Sequence, residues 1–502
     1  MAKDGTAAMM AAMNSRPSKL FPAHSVAAVL LCGVLLAACG PPIARFELAS
    51  ARAQNDLFAI ELKANSRIID GIPLHEVSFN SLSWDDGRAR PIRIQAVIAV
   101  PPGTYPPRSK PALVFAHGLG DKADPQAAAD MCRNLDVVTL ALSGPGLGGS
   151  EGRALTPQDP RALFAGAKDE RKNWLYTYVY AILRSITYLQ TRPEVDAQAI
   201  AVTGFSLGGV ATFIANGVDD RIRGALPVAA SGGLRAAAIE DTWLHKLVLS
   251  VPGQKLEDEG PAVLFRLFDP LNYAGRQRGA VYMLIGAQDE YFPLAEAVRT
   301  YAAVRAPAKN LTLVPDYDHG WYFGGGCPAR CMPGGPRPPS CPPAPLCPTS
   351  CPPGSSPPYC GPQNSYNRHA DFTVRWSQLL RTLIARHVAR WPRPLPPAPT
   401  PPKVVLEPSG ILVRTMEKVG KVRLAISYDC GFTYNQILLT GAADGTYRYA
   451  QKIPADAIFF AEVESTEGAI ATSIPEWPLT CRLRVREFGP PPQPIPDDIA
   501  KE

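Results

Sequence analysis

The sequence predicts an α/β fold followed by a smaller all-β domain. Three observations carry this. Between about residues 57 and 391, apolar runs of strand length alternate with segments of helical periodicity. Seven prolines in the eleven residues 392–402 then interrupt the chain as a stiff linker. Beyond it, short alternating strands such as Val422–Ser427 and Ile458–Val463 are separated by turn signals such as Asp444-Gly445. At 502 residues the chain also exceeds one ordinary core.

The N-terminus reads as an export signal. Lys3, Arg16 and Lys19 precede the apolar run Val26–Ala38, whose thirteen residues are too few to span a bilayer and fit a signal-peptide core. Its end, Leu36-Ala37-Ala38-Cys39-Gly40, resembles the bacterial lipobox. That resemblance implies a signal peptide over 1–38, lipidation of Cys39, a tether over 39–56, and attachment to a membrane surface of the cell envelope without a transmembrane helix. Plain secretion is the alternative.

Downstream, the strand Ala112–Ala116 ends in His117-Gly118-Leu119-Gly120-Asp121, and Trp174–Thr191 repeats Leu175, Tyr178, Val179, Ile182, Leu183, Ile186 and Leu189 at helical spacing. A further strand, Ile200–Thr203, runs into Gly204-Phe205-Ser206-Leu207-Gly208 and then into a helix over Leu207–Val218. So sharp a strand-to-helix turn strains its central residue, and glycines on both sides remove the Cβ atoms that would collide there. Ser206 is therefore the candidate nucleophile. The same five-residue pattern recurs at Gly148-Gly149-Ser150-Glu151-Gly152, but that copy follows a loop, and Arg153-Ala154-Leu155-Thr156-Pro157 starts no helix.

A serine hydroxyl needs a base and an acid that orients the base. The strand Ala280–Gly286 ends at Asp289, and the short strand Leu311–Val314 is followed by His319. Glu290, Asp316 and Asp318 compete with Asp289 for the acid role. Of the remaining histidines, His24, His75, His245, His369 and His387 are read as structural.

Together the strand–turn–helix at Ser206 and the order Ser206, Asp289, His319 resemble the α/β-hydrolase superfamily. Phe79-Asn80-Ser81 through Val100-Pro101-Pro102-Gly103 resembles the opening strands of its secreted esterases and prolyl-oligopeptidase-like hydrolases, and the glycine-rich Ser143–Ser150 loop resembles the loop after their fourth strand. The resemblance implies a mostly parallel sheet with helices on both faces over 57–391, a lid over 231–275, and an oxyanion hole from the backbone amides of Leu119 and Leu207. Trp321, Tyr322 and Phe323 are candidates to line the cleft. The final helix, about Phe372–Arg390, comes later than in the superfamily because a Cys/Pro-rich insertion over 327–362 separates it from His319.

Six cysteines, Cys327, Cys331, Cys341, Cys347, Cys351 and Cys360, crowd that insertion, an even set in a stretch too poor in apolar residues for a core. A disulfide-stapled loop is expected. Zinc is the rival, although no Cys-x-x-Cys pair or interleaved histidine is present. Residues 403–488 suggest a β-sandwich similar to fibronectin-type modules, with a Cys430–Cys481 bridge, and 489–502 a disordered tail. Cys132 is left as a free, buried thiol.

Removing three basic residues and one acid with the signal reduces a formal net charge of +6 to +4, too little to imply nucleic-acid binding. No dinucleotide fingerprint, phosphate loop or metal-ligand helix is present, so no cofactor or metal is called for. The expectation is a serine hydrolase that cleaves carboxylic esters, on a small molecule or a polymer, through an acyl-enzyme. The alternatives are a prolyl-oligopeptidase-like peptidase and a non-catalytic surface binding protein on the same fold.

Overall fold

The structure is a computed structural model that describes residues 41–475 except 240–241, 288, 290, 316, 318, 320–362, 390–398, 429–433, 443 and 455–456. Ile43–Glu502 forms one unit and Met1–Pro42 another. Nine strands build the central sheet of the larger unit: β1 Ile60–Ile69, β2 Ile72–Ser83, β3 Arg90–Ala99, β4 Lys110–Ala116, β5 Val138–Leu142, β6 Val195–Phe205, β7 Ile222–Val228, β8 Ala280–Gly286 and β9 Lys309–Val314. Their order is β1-β2-β3-β5-β4-β6-β7-β8-β9. The first three strands pair antiparallel and β3 meets β5 antiparallel, whereas all pairs from β5 to β9 are parallel. The mostly parallel sheet expected from the sequence is thus present.

Ten α-helices accompany it among the described residues: α1 Leu48–Arg52, α2 Pro125–Leu135, α3 Trp174–Thr191, α4 Leu207–Val218, α5 Leu234–Ile239, α6 Trp243–Leu249, α7 Glu259–Leu267, α8 Pro270–Tyr273, α9 Leu294–Ala303 and α10 Gln363–Leu383. Alternate strand residues face opposite layers. Along β8, Val281, Met283 and Ile285 join the cluster holding α3 and α4, while Ala280, Tyr282 and Leu284 join the one holding α10. Burial on both faces explains why these strands read as unbroken apolar runs in the sequence.

Helix α3 is buried from Trp174 through Leu189, because the segment before β1 lies over it. Arg184 of α3, only 2% exposed, donates to the carbonyls of Asn80, Ser50 and Ala53 and pairs with Asp56 at 2.8 Å. A buried guanidinium needs such a full set of acceptors. The stretch expected as a tether is therefore docked from Ile43 onward, with Ala44, Ala51 and Leu57 buried. The described residues of 231–275 include α5 to α8, and Phe265 of α7 and Phe268 just after it enter the main core.

Beyond the prolines, two antiparallel sheets follow: β10 Lys403–Glu407, β11 Gly410–Arg414 and β14 Thr446–Tyr449 in one, and β13 Asn435–Leu438, β12 Lys421–Ser427, β15 Ile458–Glu464 and β16 Ile470–Thr472 in the other. Ile411 and Val413 from the first pack with Val422, Leu424, Ile426 and Val463 from the second, as in a sandwich. This module is not a freely swinging appendage. Ala425, Tyr434, Ile458 and Phe460 belong to the main hydrophobic core around the central sheet, Arg375 of α10 pairs with Glu462, and β16 lies over the outer edge of β9, where Asn310 Nδ2 donates to the Ile470 carbonyl at 2.7 Å. Covering that edge hides polar groups that would otherwise template a further strand.

Candidate active site

Ser206 sits between β6 and α4 with φ 54° and ψ −120°, a conformation that side chains rarely adopt and that the surrounding packing must impose. The two flanking glycines are obligatory for close approach. A Cβ on Gly204 would fall 2.4 Å from the Gly208 carbonyl oxygen, and one on Gly208 would fall 2.1 Å from that of Ala116. The turn is thereby pressed against the end of β4, and the Ser206 side chain stands at its tip.

Ser206 Oγ lies 2.7 Å from His319 Nε2. His319 Nδ1 lies 3.0 and 3.1 Å from the two oxygens of Asp289. The Asp289 carboxylate is in turn held by the amides of Tyr291 and Phe292, at 2.9 and 2.8 Å. With Nδ1–H directed at the carboxylate, Nε2 carries the lone pair that faces the serine hydroxyl. The rings of Tyr291, Phe292 and Phe205 surround the imidazole at centroid distances of 4.3, 5.6 and 5.6 Å. Three side chains separated by up to 113 residues are thus brought together at the carboxyl ends of β6, β8 and β9.

The loop after β4 lies beside them: a Cβ on Gly118 would come within 3.6 Å of Ser206 Cβ. The amide of Leu207 opens α4, where helix N–H groups lack internal acceptors. His117, which the sequence marked only as half of a His-Gly pair with no role for its side chain, is buried within this loop; its Nε2 accepts from the Gly144 amide at 2.7 Å and its Nδ1 lies 2.6 Å from the Gly118 carbonyl. No periodicity signals such a contact. Ser150, the rival serine, is saturated by backbone: its Oγ accepts from Gln95 N at 2.9 Å and donates to the Ser143 carbonyl at 3.1 Å.

A cavity of about 410 Å³ lies between α2 and α10 and reaches Gly118 and Phe205, beside Ser206. Phe115 and Trp376 give it aromatic walls, and Asp121, Asp124 and Asp130 carry carboxylates around it. Of the other residues singled out from sequence, Glu290, Asp316, Asp318, Trp321, Tyr322, Phe323, Cys39, the six insertion cysteines, Cys430 and Cys481 lie outside the described residues. Cys132 is free and buried. His75, His245 and His387 each make a local contact away from this site, to Ser66 Oγ, the Ala238 carbonyl and the Tyr282 hydroxyl.

Residues 59–323 match the model of the family described as acetyl xylan esterase (AXE1), over half of the chain. The chain belongs to that family. The matched segment includes Ser206, Asp289 and His319 and stops just short of the Cys-rich insertion. Among solved structures, the esterase resembles an acetyl xylan esterase from Paenibacillus sp. R4, with 24% identity, a TM-score of 0.46, and 56% of this chain and 92% of that one covered. Acetyl xylan esterase 1 from Thermoanaerobacterium sp. JW/SL YS485 is similar at 19% identity and a TM-score of 0.45, covering 56% and 90%. A puromycin-hydrolyzing peptidase from Mycobacterium tuberculosis is similar at 18% identity and a TM-score of 0.41, covering 64% and 41%. No curated protein sequence matches. Family membership makes this protein a serine hydrolase of carboxylic esters.

Proposed function

We propose that the enzyme removes acetyl groups from acetylated sugars of a plant-type polysaccharide or its fragments, with Ser206 as nucleophile, His319 as general base and acid, and Asp289 as the group that orients His319. The observation that carries this is the unbroken relay from Asp289 through His319 to the Ser206 hydroxyl. Ser206 Oγ attacks the acetyl carbonyl while its proton passes to His319 Nε2. The tetrahedral oxyanion is held by the amides of Leu207 and Leu119, a pair of donors of a kind worth about 3 to 4 kcal/mol each at the transition state. Collapse returns the proton from Nε2 to the departing sugar hydroxyl and leaves an acetyl-serine. Water, deprotonated by the same imidazole, then releases acetate.

The cavity beside Gly118 and Phe205 supports a sugar as the alcohol half of the ester. Aromatic walls offer flat apolar faces and the carboxylates around it offer acceptors for hydroxyl groups. The sequence features at Cys39 support export and lipid attachment as the route to an extracellular polymer.

Acetate release from acetylated xylo-oligosaccharides, compared with p-nitrophenyl esters of two to eight carbons and with dipeptide amides, tests the reading. Acetyl esters should be the best substrates. Efficient amide turnover with negligible ester cleavage would replace it with the peptidase alternative, and a wild type that neither turns over esters nor labels with a fluorophosphonate would replace it with a binding role.

A further inference from the structure

We propose that His117 is a positioning residue for the oxyanion hole, its Nδ1–H gripping the Gly118 carbonyl and so fixing the rotation of the peptide whose other end is the Leu119 amide. The inference rests on the reading of Leu119 as an oxyanion donor.

Hydrogen-bond bookkeeping fixes the tautomer. The Gly144 amide can only donate, and it points at Nε2 from 2.7 Å. Nε2 must therefore offer its lone pair, which leaves the proton of the neutral ring on Nδ1. Nδ1 lies 2.6 Å from the Gly118 carbonyl, which can only accept. Both contacts are satisfied together by one state of the ring, and burial, at 2% exposure, pushes His117 toward that neutral state.

A trans peptide is planar, with its C=O and N–H directed to opposite sides. Holding the Gly118 oxygen therefore sets the direction of the Leu119 N–H. Among the described residues, the other hydrogen bond to that oxygen is a long 3.4 Å approach of the Asp121 amide. Gly118 has no side chain to limit its own rotation, so without His117 the peptide would be weakly held. The imidazole itself is immobilised. Tyr178 Oη donates to the His117 carbonyl at 3.0 Å, its ring lies 5.2 Å from the imidazole, and Gly144 is pressed so closely on Trp174 that a Cβ there would fall 2.8 Å from the indole. The three elements β4, α3 and the Ser143–Ser150 loop thus converge on one imidazole, whose free proton is spent on the peptide beside Ser206.

Two substitutions separate this role from simple packing. In His117→Asn the side-chain amide occupies the Nδ1 position and can still donate to Gly118; in His117→Gln the carbonyl occupies the Nε2 position and can still accept from Gly144. Hydrolysis of p-nitrophenyl acetate is measured in the full chain, with rates divided by the number of sites titrated to completion with a fluorophosphonate. The expected result is a kcat per site lowered about 10- to 100-fold in His117→Gln with KM within about two-fold of wild type, and kcat in His117→Asn within about three-fold of wild type. Equal losses in both variants, the reverse order, or unchanged kcat per site with fewer titratable sites would overturn the proposal. An inactive wild type would instead overturn the esterase reading beneath it, before any variant is compared.

Discussion

Thr472, in the last strand of the C-terminal module, is bonded twice to the strand that leads to His319: its Oγ1 donates to the Leu311 carbonyl at 2.5 Å and accepts from the Leu313 amide at 3.3 Å. A side chain here replaces the strand partner that the edge of β9 would otherwise lack. The chain then runs from Val314 to the imidazole in five residues, so the module braces the segment that carries His319. Thr472→Val should leave two buried β9 groups unpaired and lower stability by about 2 kcal/mol, with a smaller loss of kcat. Calorimetry and ester kinetics on the same preparation check this. A truncation after residue 402 should be worse, since it bares the core positions now shared with Ile458 and Phe460; a soluble, fully active truncated enzyme would show that the module braces nothing.

The relay predicts that Ser206→Ala, His319→Ala and Asp289→Asn each lower kcat by about 10⁴ or more, and that pairs of these changes are far from additive. Gly208→Ala should lose activity for a different reason. Its methyl group must displace the end of β4, since the Ala116 oxygen already lies 2.1 Å from where it would go. The expected signature is a fall in thermal midpoint together with activity, in contrast to Ser206→Ala, which should retain the wild-type midpoint. Near-full activity in Asp289→Asn would move the acid role to another carboxylate.

Much of this was legible in the sequence because the decisive constraints are local. The glycines around Ser206 are demanded by one turn, and the helices Trp174–Thr191 and Leu207–Val218 have the bounds their periodicity implies. Asp289 was ambiguous, as an Asp at a strand end is often only a cap. In the structure it caps the Tyr291 and Phe292 amides and also receives His319 Nδ1. Non-local contacts were illegible. Nothing in the pattern around Arg184 announces that it holds residues 50–56, or that Thr472 meets β9 across 161 residues. The proline-rich stretch suggested independence of the C-terminal module, and its composition carries no information about the shared core on its far side.

Asp269 links the start of α5 to α8, its carboxylate accepting from the amides of Gly233, Leu234 and Leu271. Burial outweighs these donors and, with Glu296 nearby, pushes its pKa up to about 6. A folded-state value above the ordinary 3.8 means that the native state binds the proton more tightly than the unfolded chain does. The resulting stabilisation is complete below the ordinary value and is lost as pH rises through about 6. Between pH 4 and 6 the stability of the wild type should therefore decline relative to Asp269→Asn, by up to about 3 kcal/mol. Denaturant titrations of both proteins across that window measure it. A gap that stays constant, or that widens in favour of the wild type as pH rises, would show that the three amides keep the carboxylate ionised.

Cys132 lies on α2, packed with Ala128, Ala129 and Phe115, and is 1% exposed. Burial, reinforced by the Asp136 carboxylate, pushes its thiol up to about 12, against a smaller opposing pull from Lys110. Since the thiolate is the reactive species, native protein at pH 8 should leave Cys132 unmodified by iodoacetamide over hours, and the same residue should alkylate within minutes once the chain is denatured. Peptide mass spectrometry resolves this position separately from the other cysteines. Rapid labelling in the native state would mean that α2 opens away from the sheet, and with it the wall of the cavity beside Gly118.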